Sequence, residues 1–101
     1  MRLSSMQQKA IVESIREAFG ADARTFLFGS RIDDTKYGGD IDLLVEVPLV
    51  DELTLPRKIR AVGVIQRKIG EQKIDMIITD GRPEQEALLI VRNARKQGLP
   101  L

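Results

Sequence analysis

The sequence predicts one α/β (α+β) domain over residues 1–101, a small mixed β-sheet with helices packed against it. Three observations carry this. Helical and strand periodicities alternate along the chain in the order α-β-(short α)-β-α-β-α. The first two strands are linked by only about eleven residues, too few for a parallel crossover, so they are expected to be antiparallel. The second and third strands are joined by a helix long enough for a right-handed parallel crossover.

The first helix is expected from Met6 to Phe19. Ser5 and Gln8 form an S-x-x-Q capping box, Ile11, Ile15, Ala18 and Phe19 recur at helical spacing, and Gly20 is a natural stop. Arg24 to Phe28 reads as the first strand. Gly29-Ser30-Arg31 follows as a turn, with Ser30 capping a short helix from Arg31 to about Lys36. Tyr37-Gly38-Gly39 breaks that helix and leads into the second strand, Asp40 to Val47. After the loop around Pro48, a helix is expected to begin near Pro56 and end before Gly70, carrying Leu55, Ile59, Val62, Val64, Ile65 and Ile69. Lys73 to Thr79 is the third strand, with Ile74, Met76 and Ile78 on one face and Asp75, Ile77 and Thr79 on the other. The last helix is expected from Glu84 to about Lys96, with Ala87, Leu88, Val91 and Ala94 inward, ending at Gly98.

Composition bounds the chemistry. Sixteen basic against fifteen acidic residues leave a net charge of +1, which offers no broad footprint for nucleic acid or an anionic membrane. No apolar run approaches the ~18–20 residues that span a bilayer, and residues 1–20 lack a signal-peptide pattern, so a cytoplasmic location is expected. The chain has no Cys and no His, which excludes thiol chemistry, a Ser-His-Asp triad and imidazole-based zinc sites. Any metal must be held, and any base supplied, by carboxylates. Such all-oxygen sites favour Mg²⁺ or Mn²⁺.

The stretch FLFGSRIDDTKYGGDIDLLVEV, residues 26–47, concentrates the candidate chemistry. Asp40 and Asp42 are two apart on one strand, so their carboxylates project from one face, about 6.6–7 Å apart along it. Two like charges beside an apolar core cost stability unless a cation neutralises them. The Gly29 turn lets the backbone approach a ligand, and a helix starting after Ser30 would favour an anion. Asp75 interrupts the apolar run K-I-D-M-I-I on a strand expected beside the first pair. Together these residues read as a site for a metal-bound nucleotide phosphate. Lys36, Lys73 and Tyr37 are expected to be surface or loop residues.

Gly-Ser, nine residues, Asp-x-Asp and a later strand Asp resemble the polymerase-beta-type nucleotidyltransferase superfamily. Within it the chain is most similar to the minimal nucleotidyltransferases (MNT), short proteins often paired with HEPN-domain toxins. The resemblance covers nearly the whole chain and implies the nucleotidyltransferase fold. It also implies that Gly29 and Ser30 bind the triphosphate, that Arg31 holds phosphate, and that Asp40, Asp42 and Asp75 ligate two Mg²⁺ ions, with ATP as substrate. The chain departs from many relatives after Gly-Ser-Arg, where Asp33 and Asp34 stand in place of small or basic residues; both are expected to face solvent.

The function implied is adenylyl transfer to a hydroxyl of a helical HEPN-type protein encoded nearby, within a toxin–antitoxin system. An antitoxin acting by occlusion and a small-molecule transferase of the aminoglycoside type stay open, and a homo-oligomer is compatible with each. Two apolar segments are expected to meet a partner: Val47-Pro48-Leu49-Val50 and the tail Leu99-Pro100-Leu101.

Overall fold

The structure, a computed structural model, describes residues 3–29 and 40–101. The expected helix over 31–36 lies outside them. The elements are α1 (Ser5–Phe19), β1 (Arg24–Phe28), β2 (Ile41–Glu46), α2 (Thr54–Ile69), β3 (Ile74–Thr79), α3 (Pro83–Glu86), α4 (Leu89–Gln97) and β4 (Leu99–Pro100). They build a mixed four-stranded sheet in the order β3-β2-β1-β4 with helices packed on it. β1 and β2 run antiparallel, and β2 and β3 parallel, as the link lengths predict. No helix among the described residues is long and apolar enough to cross a membrane.

α1 begins one residue earlier than the Ser5–Gln8 box implies. Ser4 is the cap: its Oγ accepts from the Gln7 amide at 3.1 Å, and Gln7 Oε1 accepts from the Ser4 amide at 2.9 Å. This register leaves Leu3, directly before the cap, buried in the core. α2 likewise starts two residues before Pro56. Asp51 and Thr54 fix it reciprocally, the Asp51 amide donating to Thr54 Oγ1 and the Leu53 amide to Asp51 Oδ1.

Alternation along the strands divides the core. Leu27, Leu43 and Met76 are register partners and face α1 and α2, where Ile11, Ile15, Ala61 and Ile65 complete the main cluster. On the opposite face α4 packs against β1 and β2, burying Val91 and Ala94. Leu55 and Ile59, two of the apolar residues expected on this helix, form an exposed outer stripe.

The single helix expected over 84–96 is two helices. Leu88 is extended (φ −64°, ψ 131°) and exposed, which separates α3 from α4. A polar cluster explains the break. Thr79, fully buried, donates from Oγ1 to Glu86 Oε2 at 2.7 Å. Arg95 donates to Glu86 Oε1 at 2.9 Å and to Glu46 Oε2 at 2.8 Å. The bend after Glu86 lets α4 turn Arg95 back onto that carboxylate. Hydrogen bonds from Arg95 and then Thr79 hold the Glu86 carboxyl below the usual range, and the two carboxylates keep Arg95 firmly protonated.

The tail is a strand rather than a free apolar end. Leu99–Pro100 pairs antiparallel with β1, and Leu101 packs against the core. In the other apolar segment Val47 is buried and Val50 packs on the core, which leaves Leu49 exposed. Asp80 ties this loop to the end of β3, accepting from the Val50 amide at 2.9 Å and from Arg82 Nε at 2.7 Å.

Candidate functional site

Three of the expected site residues meet where β1 ends. Register sets Phe28 opposite Asp42, and Asp42 opposite Asp75, across three adjacent strands. Gly29 follows directly, with φ at +79°, a left-handed conformation that favours glycine. The space a side chain would need is already occupied: a Cβ built on Gly29 would collide with the Asp42 carboxylate. The bare backbone of Gly29 and the Asp42 side chain therefore share one cradle. The Gly29 amide is anchored from the far end of the chain, donating to Gln97 Oε1 at 3.2 Å.

Asp42 and Asp75 lie on the sheet face that carries α4. They open into a cavity of about 320 Å³ lined also by Phe28, Lys58, Ile74 and Ile90. Burial pushes the Asp42 carboxyl up to about 6. The negative charges of Asp75 and Asp40 and a hydrogen bond with Asp75 add to the rise, and Lys73 opposes it. Near neutral pH, two carboxylates so placed repel each other unless a cation sits between or beside them.

Asp40 is placed differently. It precedes β2, and its Oδ2 lies 3.4 Å from Lys73 Nζ, whose own backbone carbonyl accepts from the Ile41 amide. Among the described residues no three acidic side chains are gathered closely enough to hold an ion by themselves. The candidate ligands that the register sets opposite each other are Asp42 and Asp75. Their hard oxygen chemistry, and the charge they concentrate, would suit a divalent cation such as Mg²⁺.

Ser30 and Arg31 lie outside the described residues, as do Asp33, Asp34, Lys36 and Tyr37. Two contributors were not expected from the sequence. Lys73 is a surface lysine as expected, but it also pairs with Asp40; the parallel register that pairs Ile41 with Ile74 would have placed it there. Gln97 holds Gly29 across 68 residues of sequence, and no local signal marks it. The chain matches no protein-family model, and no curated protein matches it.

Proposed function

We propose that the chain is a Mg²⁺-dependent nucleotidyltransferase that moves a nucleoside monophosphate, AMP from ATP, onto a hydroxyl of a partner protein. The observation that carries this reading is the Gly29–Asp42–Asp75 arrangement: a glycine backbone stripped of side-chain bulk beside a pair of facing carboxylates. Asp42 and Asp75, with Asp40 once released from Lys73, would hold the metal, which would neutralise charge on the triphosphate. The Gly29 turn brings backbone close to the phosphates, and the resemblance adds Ser30 and Arg31 as their further ligands. Asp75, exposed on its strand, is open to an acceptor and takes the hydroxyl proton. The acceptor oxygen bonds to the α-phosphorus, the bond from that phosphorus to the bridging oxygen breaks, and pyrophosphate leaves with the electron pair.

The resemblance to HEPN-paired MNT proteins makes the partner a helical HEPN-type toxin and the chain its antitoxin. Incubating the chain with ATP, Mg²⁺ and the product of the adjacent gene, followed by intact-mass analysis, tests this. A partner that gains one or more adenylyl groups with the wild type and none with Asp42→Asn upholds it. An unmodified partner sinks it. A second reading, neutralisation by binding alone, is favoured by the Lys73–Asp40 ion pair, which occupies one of the three carboxylates. It requires Asp42→Asn to neutralise the toxin as well as the wild type does.

A further inference from the structure

β3 is an outer strand of the sheet, and its hydrogen-bonding phase is fixed by two contacts. The Ile41 amide donates to the Lys73 carbonyl at 3.0 Å, and the Val47 amide to the Thr79 carbonyl at 2.9 Å. In a parallel ladder the backbone groups of alternate residues turn the same way. Lys73, Asp75, Ile77 and Thr79 thus face β2, and the N–H and C=O groups of Ile74, Met76 and Ile78 face outward. No hydrogen bond among the described residues reaches those outward groups. The strand carries neither proline nor a bulge to blunt it. Two cavities meet along this edge, sharing Lys58, Met76 and Ile77. One, of about 400 Å³, extends to Val50 and Leu55; the other, of about 320 Å³, contains Asp42 and Asp75.

A row of unpaired amides and carbonyls with apolar hollows alongside is complementary to one kind of ligand, an extended backbone with apolar side chains. We infer that this edge is where the acceptor docks: an extended segment of the partner protein adds to the sheet beside β3 and sets a hydroxyl side chain opposite Asp75. The inference rests on the transfer reading above and specifies how its acceptor is delivered. Because the backbone of Asp75 faces β2, an antiparallel neighbour pairs with it at a position lacking direct hydrogen bonds. There, side chains approach closest, with Cβ atoms about 4.5–5.5 Å apart. A Ser, Thr or Tyr at that position puts its hydroxyl beside the Asp75 carboxylate, which takes the proton as the oxygen bonds to the α-phosphorus of a nucleoside triphosphate and pyrophosphate departs. Residues opposite Met76 and Ile78 lie on the other face, toward Val50 and Leu55.

A second copy of the chain is the competing occupant, and its chemistry is poorer. A twofold axis at Met76 satisfies the hydrogen-bonding phase, since Ile74 then meets Ile78. It also sets Asp75 across from Ile77 of the other copy and diagonal to the other Asp75, so like charges approach each other.

The test uses the whole wild-type chain with ATP, Mg²⁺ and a capped eight-residue peptide of alternating valine and threonine bearing one central tyrosine. The readouts are amide hydrogen exchange and peptide mass. Millimolar peptide is expected to slow exchange at Ile74, Met76 and Ile78 by roughly tenfold or more, with Asp75 and Ile77, already bonded to β2, little changed. The same peptide N-methylated on the edge that would face β3 is expected to give no protection. Protection without an adenylyl adduct upholds the docking edge and counts against the transfer reading. An adduct without protection overturns the docking edge and leaves the transfer reading standing. Absence of both, equal protection by the N-methylated peptide, or protection that appears without peptide and rises with protein concentration, also overturns it; the last result assigns the edge to a second copy.

Discussion

The Asp42 carboxylate occupies the place where a Gly29 side chain would be. Gly29 therefore cannot gain a side chain while Asp42 keeps its carboxylate in place.

Gly29→Ala is expected to lose stability twice over, from a left-handed φ of +79° and from collision with Asp42. The φ component alone is about 1–2 kcal/mol. In urea unfolding, Asp42→Ala should recover the collision component in the Gly29→Ala background and leave the backbone component. The two substitutions must then couple in a double-mutant cycle. Strict additivity would show that the two residues do not share space.

The raised Asp42 pKa makes a signed prediction. Its ordinary value is 3.8 and its folded value about 6, so between these the folded chain binds more protons than the unfolded one. Stability through this group therefore falls as pH rises from about 4 to 6, and the deficit is fully present above that. Asp42→Asn, which imitates the protonated form, should be more stable than the wild type at pH 8 by about 1–2 kcal/mol once solvent screening is allowed for. The difference should vanish near pH 3. Glu86 and Asp80 act in the opposite sense: both are held low, so their contributions fade as pH falls, in wild type and variant alike. Equal stability of the two proteins at pH 8 would refute the assignment.

Mg²⁺ should raise the wild-type Tm at pH 8 and do so less at pH 5, where the Asp42 proton competes. Asp42→Asn and Asp75→Asn should each abolish most of the shift. A shift of wild-type size in either variant would place the cation elsewhere.

The opposite end of the sheet offers a control. Arg95→Met leaves Glu86 and Glu46 without their shared donor, with only the Thr79 hydroxyl still donating to Glu86, and should cost about 1–3 kcal/mol. Because Glu46 and Thr79 lie at the far ends of β2 and β3 from Asp42 and Asp75, Mg²⁺ affinity at low temperature should be unaffected. A fall in affinity larger than the fall in folded fraction would show that the two ends communicate.

What the sequence made legible follows from the range of each interaction. The antiparallel and parallel pairings were readable because link length decides them, and the Asp42–Asp75 juxtaposition follows once those pairings are granted. The capping frame of α1 was ambiguous because Ser4 and Ser5 each begin an S-x-x-Q. Burial of Leu3, a tertiary effect, accompanies the earlier choice. The break at Leu88 was hidden for a stronger reason: residues 84–96 read as continuous helix locally, and the interruption serves Thr79, Glu86, Arg95 and Glu46, scattered over half the chain. Leu99–Pro100 looked like a loose end because two residues carry no strand periodicity, and only their pairing with Phe26 and Leu27 makes them strand.

That last pairing has a kinetic side. Phe26 and Pro100 are 74 positions apart (100 − 26), and the Gly29–Gln97 hydrogen bond spans 68. Contacts of such separation carry a large loop-closure cost and are rewarded late, whereas the β1–β2 hairpin and the β2–α2–β3 crossover close over far shorter distances. The glycine turn should therefore acquire its anchor after the folding barrier has been crossed. Gln97→Ala would then speed unfolding and leave the refolding rate nearly unchanged. The turn beside Asp42 would also be among the first parts of the native protein to open, while the strands bearing the two carboxylates stay paired.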